Sequence, residues 1–380
     1  MRAGKLRDIV YERSVERIFR ESGVRPHPQD DMQRNAPGGS GEMNHLKEPL
    51  ADHGVRMTQV SCIWGAPECT WILFEAFNRL ACEGAVPEEA AVSLILPADF
   101  EESALRTLVQ ETAAVCAEEE VRIEELNVQV SAAAIRPVLT AAVSGRVCAS
   151  CGSAHEARGQ NCEPAGPARG QNCEPACPAH GQNCRPDRPD SGRAKAFPGT
   201  GYDLLAAGNI AAEGTAFLAC RKHSELLKKL PAFYLERAKA FRQDLSAVRC
   251  AETAYSFGAA HIYPLGEGGV FAGLWEFAEK LGCGLTADLL QIPVAQESVE
   301  VCSVLDLNPY QLRSSGSLLI AAENGERMEK SLRSAGFICE VIGRLGPGRE
   351  RILKSGGDVR YLDRPLPDEI LRILDPPERL

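Results

Sequence analysis

The sequence predicts an α+β chain in two lobes, and three observations carry that prediction. Short apolar runs of strand length alternate with longer stretches whose apolar residues recur every three or four positions, the mixture expected where helices back a sheet. A tandem repeat without large apolar residues, ARGQNCEPAGP (157–167), ARGQNCEPACP (168–178) and AHGQNCRPDRP (179–189), interrupts that pattern near the middle. The chain has 380 residues, 44% hydrophobic and 25% charged, which is enough for two cores.

The N-terminal lobe is read as residues 1–147, with a polar, divergent, glycine-containing stretch at 25–54. Glu68 to Cys82 reads as a helix carrying Trp71, Phe74 and Phe77, and Ala91 to Leu96 as a buried strand. Asp99 and Glu102 make a capping-box-like start to a helix with Leu105, Leu108, Val109 and Cys116 on one face. Ile135 to Val143 is a further strand, so this lobe is a mixed sheet with helices on one side. Residues 148–198 read as a disordered linker, because so few apolar side chains cannot offset the entropy of ordering.

The C-terminal domain is read as 199–380. Tyr202 to Ala207, Leu285 to Leu290, Leu318 to Ala322 and Ile338 to Arg344 are strands. Gly214 to Lys229, Ala232 to Leu245, Gly268 to Leu281 and Glu326 to Ala335 are helices. Arg351 to Leu362 turns back at Ser355-Gly356-Gly357-Asp358, a hairpin signal.

A net charge of −10 with no basic stripe argues against a nucleic-acid partner. No apolar run reaches the roughly 18 residues of a membrane span. The start, MRAGKLRDIVYERSVERIF, is basic without an apolar signal core, so the expectation is a cytoplasmic protein with reduced thiols. Of the 15 cysteines, nine sit singly in apolar or helical stretches, among them Cys82, Cys116 and Cys302, and read as small core residues. Cys148, Cys151, Cys173 and Cys177 have a spacing compatible with tetrahedral zinc, and His155 and His180 could substitute as ligands. Against zinc, Cys162, Cys173 and Cys184 recur inside a duplicated GQNC unit, and repeat expansion alone gives that spacing.

The stretch HIYPLGEGGVFAGLWEFAEKLG, 261–282, holds the clearest ligand-site pattern. Glu267-Gly268-Gly269 opens an amphipathic helix, and glycine there lets an anion approach free N–H groups at the positive end of the helix dipole. The bland alternative is a helix start that the fold itself requires.

Read together, KLRDIVYERSV near the start, NRLACEGAVPEEAAVSLILP (78–97), IRPVLTAAVSG (135–145), AAEGTAFLA (211–219), EGGVFAGLWEFAE (267–279) and QIPVAQESVEVCSVLDLNPYQLRSSGSLLIAAENG (291–325) resemble the AIR synthase (PurM-like) superfamily. Within it the chain resembles the AIR-synthase-related proteins near the hydrogenase maturation protein HypE. The resemblance implies a two-lobed PurM-like fold, α+β, in which the N-terminal sheet is half of a dimeric β-barrel and the C-terminal lobe is α/β. It also implies a homodimer formed through the N-terminal lobe, and ATP with magnesium to phosphorylate an amide or carbonyl-type oxygen. Typical members hold that magnesium with four aspartates, since the ion takes hard oxygen ligands.

Here the four matching positions hold Met43 in GGSGEM, Ser61 in QVSCIWG, Arg79 in NRLA and Pro264 in YPLGEGG. The vestige of the nucleotide site implied by the resemblance is Gly39, Gly41, Glu42, Asn78, Arg79, Glu267, Gly268 and Gly269. A further family motif, Gly-Gly-His-Thr-Glu-Val, reads ELNVQV at 125–130. Ser314-Ser315-Gly316 and Asp306 to Tyr310 resemble a loop on the acceptor side of the family's cleft. HypE itself ends in a cysteine; this sequence ends Pro377-Glu378-Arg379-Leu380, so no role passes to a terminal thiol.

The expectation is therefore a family member with no cofactor and little or no ATP turnover, no residue being assigned a catalytic role. Its role would be structural or regulatory, paired with itself or with an intact paralogue. Two alternatives stand beside it. One is an active ATP- and magnesium-dependent enzyme with a rearranged site, Arg79 on phosphate and Glu42, Glu68 or Glu267 on the metal. The other is a metal- or thiol-binding module in the cysteine repeat.

Overall fold

Two mixed sheets organise the chain in a computed structural model that describes residues 4–5, 10, 12–22, 55–62, 65, 67–147 and 200–374. Gly39, Gly41, Glu42 and Met43 lie outside the described residues, as do Cys148, Cys151, Cys173 and Cys177.

The first sheet comprises β1 (Gly4–Lys5), β2 (Val55–Cys62), β3 (Ala85–Pro97), β4 (Arg122–Ser131) and β5 (Val138–Val147), in the order β1-β4-β3-β5-β2. Only β3 and β4 run parallel, and the crossover between them is a helix. After the short helix α1 (Arg17–Ser22), α2 (Ile72–Cys82) and α3 (Glu102–Glu118) cover this sheet. Strand periodicity explains the arrangement. Val92, Leu94 and Leu96 of β3 and Leu139, Ala141 and Val143 of β5 are buried with Phe74, Phe77 and Leu80 of α2. Leu105, Leu108, Val109 and Cys116 of α3 are buried as their spacing predicts. The opposite face carries the cross-strand pairs Ala91/Ala142, Ser93/Thr140 and Ile95/Val138, all half-buried.

The second sheet is formed by β6 (Asp203–Ala207), β7 (His261–Pro264), β8 (Gly284–Asp288), β9 (Leu318–Ala322), β10 (Cys339–Gly346), β11 (Arg351–Ser355) and β12 (Asp358–Tyr361), ordered β12-β11-β8-β10-β6-β9-β7. Its helices are α4 (Ala212–Arg221), α5 (His223–Leu226), α6 (Ala232–Ala240), α7 (Val248–Ser256), α8 (Gly269–Leu281), α9 (Gln296–Leu305) and α10 (Gly325–Ser334). Alternate residues of its central strands enter two cores. Leu204, Ala206, Leu319 and Ala321 pack with Leu274 and Phe277 of α8. Leu205, Ala207, Leu318 and Ile320 join the core that also holds Phe77 and Leu94. Burial on both faces is why β9, LLIAA, reads as an unbroken apolar run.

Several boundaries differ from the sequence expectation. Ile135 is 90% exposed in a turn that ends at Pro137, and the strand begins at Val138. Asp99 lies in a turn; Glu101 precedes α3 and makes no side-chain capping bond. The helix expected from Gly214 to Lys229 is broken at Lys222 into α4 and α5. Cys82, Cys116 and Cys302 are buried, whereas Cys220 is exposed. β4, β7, α7 and α9 were not anticipated, because each is short or carries many polar side chains on its exposed side. Among the described residues no helix is long and apolar enough to cross a membrane.

Candidate functional site

A cleft of about 730 Å³ opens where α2 of the first lobe meets β7 and the start of α8 in the second. Glu75 and Arg79 face it from α2, Glu83 from that helix's C-cap, Pro264 from the end of β7, Gly266 to Gly268 from the turn that follows, Glu276 and Lys280 from α8, and Pro365 and Leu366 from the C-terminal segment.

Beneath the cleft lies a buried charge cluster. Arg313, 5% exposed, donates from Nη2 to Glu75 Oε2 at 2.8 Å and from Nε to Glu213 Oε1 at 3.0 Å. Glu75 and Glu213 are 7% and 2% exposed. The second oxygen of Glu213 accepts from the Ser315 amide, and that of Glu75 from Arg79 Nη2 at 2.6 Å. Two carboxylates thus share one buried and one half-exposed guanidinium. The fork geometry of Arg313 meets an acceptor from each lobe, which is how such charges tolerate loss of water.

The start of α8 is occupied by the chain itself. Gly268 and Gly269 take the left-handed conformation, with φ of 74° and 63°. The Gly268 N–H donates to Asp368 Oδ2 at 2.7 Å, and Asp368 Oδ1 accepts from the Ile370 N–H. A Cβ on Gly269 would stand 2.7 Å from the carbonyl oxygens of Tyr310 and Leu312, so glycine is needed for close packing as well as for φ. Burial pushes the Asp368 carboxyl up to about 6, against the pull of the two N–H bonds and Arg313.

The sequence-predicted residues are thereby distributed over separate tasks. Asn78 is buried outside the cleft lining, its amide spent on the Leu245 carbonyl at 2.8 Å and the Ala247 N–H at 2.7 Å. Arg79 lines the cleft and is paired with Glu75. Pro264 ends β7 in the cleft wall, and Ser61 lies on β2 opposite Thr140. Glu267 is exposed in the cleft, while Gly268 and Gly269 are buried. Glu68 is bound to Arg221 at 2.6 Å and does not line the cleft. Ser314 bridges the Ala211 N–H and the Leu312 carbonyl, which makes the Ser-Ser-Gly turn a brace for α4.

Other cleft carboxylates are engaged too: Glu83 with Lys280 at 2.6 Å, and Glu276 as acceptor of the Tyr263 hydroxyl at 2.5 Å. Arg313, Glu213 and Asp368 were not singled out from sequence. The one usable signal was a lone arginine beside the small-residue turn Ser314-Ser315-Gly316, where an unpaired charge would otherwise be buried.

Two mixed lobes joined at a cleft, with a glycine-rich helix start on its floor, define the PurM-like architecture. In fold the chain is similar to HypE proteins and to thiamine-monophosphate kinase. No protein-family model matches the chain. Carbamoyl dehydratase HypE of Rhodobacter capsulatus is 28% identical over 116 residues, covering 29% of this chain and 34% of that protein. A putative hydrogenase expression/formation protein of Methanocaldococcus jannaschii is 31% identical over 111 residues, covering 28% of this chain and 33% of that protein. The match therefore spans about a third of the length of these curated relatives.

Among solved structures, HypE of E. coli superposes with a TM-score of 0.65 at 18% identity, covering 95% of this chain and 99% of that one. A HypE structure in complex with ATP gives 0.61 at 15% identity, with 93% of each chain covered. Thiamine-monophosphate kinase of Stenotrophomonas maltophilia K279a gives 0.57 at 16% identity, over 93% of this chain and 98% of that one. At these identities the structural likeness is one of fold.

Two outcomes follow from the site. Arg313→Met strands Glu75 and Glu213 without their shared cation, and unfolding in urea should reveal a loss of about 3–5 kcal/mol. Asp368 titrates near 6 when folded, above its unfolded value of about 4, so the folded state binds more protons between those limits. Its contribution to stability therefore falls as pH rises through that window and is level above it. Asp368→Asn sets an amide NH2 against one of the two N–H donors, so it should lower the melting temperature, and by more at about pH 4 than at about pH 7.

Proposed function

We propose that this chain is a HypE-like member of the superfamily that keeps the two-lobed fold and has lost most or all magnesium–ATP chemistry, acting as a structural or regulatory protein. One observation carries the reading. Arg79 and Pro264, which stand where the resemblance puts magnesium-binding aspartates, come from different lobes and line the same cleft. Neither side chain offers an oxygen ligand to a hard cation.

The surrounding groups support it. Arg79 is matched by Glu75, and the start of α8 holds the carboxylate of Asp368. The residues present do not fit a magnesium–triphosphate complex, whose charge would be left without the electrostatic support that phosphoryl transfer needs. The competing reading, an active enzyme with a rearranged site, is supported by Glu267, which is exposed in the cleft. Glu68 lends it nothing, being committed to Arg221 away from the cleft lining.

Within the same reading, residues 1–147 and 199–380 are two lobes joined by a 148–198 linker in a cytoplasmic protein. The half-buried face of β3 and β5, with its small side chains, pairs with a second copy. An apolar sheet face of this kind is stable when covered.

Titration calorimetry with ATP tests the site: binding should be weak and indifferent to magnesium. Tight magnesium-dependent binding, with turnover that disappears in Glu267→Gln, would overturn the proposal. Light scattering tests the pairing, with an expected mass of twice 41.1 kDa. A monomer mass that persists on concentrating removes the homodimer and leaves an intact paralogue as the partner.

A further inference from the structure

We propose that the free edge of β12, together with the cavity beside it, docks an extended acidic segment of a partner protein by strand addition. This surface shares no lining residue with the cleft described above, and the proposal is independent of nucleotide binding.

Among the described residues β12 ends the order of the second sheet, and all four of its own residues are exposed. The phase of the β11–β12 ladder fixes which backbone groups are available. The Leu362 N–H donates to the Arg351 carbonyl at 2.8 Å, and Ile352 stands opposite Tyr361. Inward-bonded residues alternate in an antiparallel pair, so Arg360 and Asp358 bond to β11, whereas Val359 and Tyr361 turn their N–H and C=O groups outward. Those two residues are also 65% and 67% exposed. Protein edges are usually blunted by charge, by shortness or by a covering loop; this four-residue edge carries Asp358 and Arg360 and also presents an exposed aliphatic and an exposed aromatic side chain.

The cavity next to the edge, about 340 Å³, is lined by Trp275, Arg349, Glu350, Arg351, Tyr361 and Leu362. Arg351 is 9% exposed and lies 4.0 Å from the centre of the Trp275 ring. One arm of its guanidinium binds Glu279, and its buried Nε has no acceptor among the described residues. A buried donor without an acceptor is unfavourable, and a guanidinium stacked on indole is a site that recognises carboxylates.

Charge selects the partner. Between 349 and 364 the chain carries Arg349, Arg351, Lys354, Arg360 and Arg364 against Glu350, Asp358 and Asp363, a local basic excess in a protein of net charge −10. An extended segment alternating acidic and apolar side chains meets all three features: outward backbone groups, exposed Val359 and Tyr361, and the arginine-lined cavity.

The test uses the full chain and a fluorescein-labelled octapeptide of alternating Glu and Val, followed by anisotropy at low salt, with a Lys-Val octapeptide as control. Saturable binding of the Glu-Val peptide alone is expected. It should weaken by about tenfold or more in Val359→Pro, which removes an outward N–H and leaves the inward ladder bonds intact, and likewise in Arg349→Glu with Arg360→Glu. Should Val359→Pro fail to fold, a Glu-Val peptide N-methylated at alternate amides asks the same question of the unaltered protein, and undiminished binding counts against strand addition. The proposal is overturned by absent binding, by equal binding of the Lys-Val peptide, or by indifference to Val359→Pro. It is likewise overturned by a concentration-dependent dimer abolished in Val359→Pro, which gives the edge to a second copy. Binding that emerges only when residues 375–380 are removed gives it to the chain's own terminus.

Discussion

Arg313 is charged at any accessible pH and is almost wholly withdrawn from solvent, so the residues around it must bring acceptors to it or the structure fails. One acceptor comes from α2 in the first lobe and the other from α4 in the second. The cluster therefore sets the position of α2 over β7 and α8, and with it the width of the cleft. Asn78, one residue before Arg79, adds a second tie by bonding the backbone at Leu245 and Ala247. Both ties are polar and directional, so they fix register where the shared apolar core, which is non-directional, does not.

The same constraint shapes the chemistry available in the cleft. With Glu75 held by Arg313 and Arg79, the carboxylate nearest the junction of the lobes is already neutralised. The α8 start, whose dipole would favour an anion, is supplied with one from the C-terminal segment by Asp368. What remains in the cleft is a set of charges matched within the chain, with Glu267 at the exposed side of the helix start. The charges that line this cleft thus also tie the two lobes together, through Glu75 and Arg313.

Much of the fold was legible in the residues. Buried strands such as Leu318–Ala322 and the Gly356-Gly357 hairpin agree with the sequence reading, because each is encoded by a local pattern: an apolar run between turn residues, or paired glycines with positive φ. β4 and β7 were not legible, since β4 buries Ile123, Val128 and Val130 among charged and amide side chains, β7 is only four residues long, and their pairing depends on neighbours distant in sequence. Ile135 misled because hydrophobicity alone cannot distinguish a strand from the exposed turn before Pro137. At the site, Arg79, Pro264 and Glu267 were found from motif positions, whereas Asp368 had no motif around it and acts from a hundred residues away.

The sequence by itself determined the α+β class and the helix start at Gly268-Gly269, because these rest on local periodicity and on the identity of single side chains. Only the tertiary structure decided what those residues face. That Arg79 meets Glu75, that Asn78 spends its amide on another segment's backbone, and that Asp368 lies against Gly268 are facts of long-range packing. A buried charge or a free N–H specifies that a partner must exist, and chain topology alone selects which one reaches it.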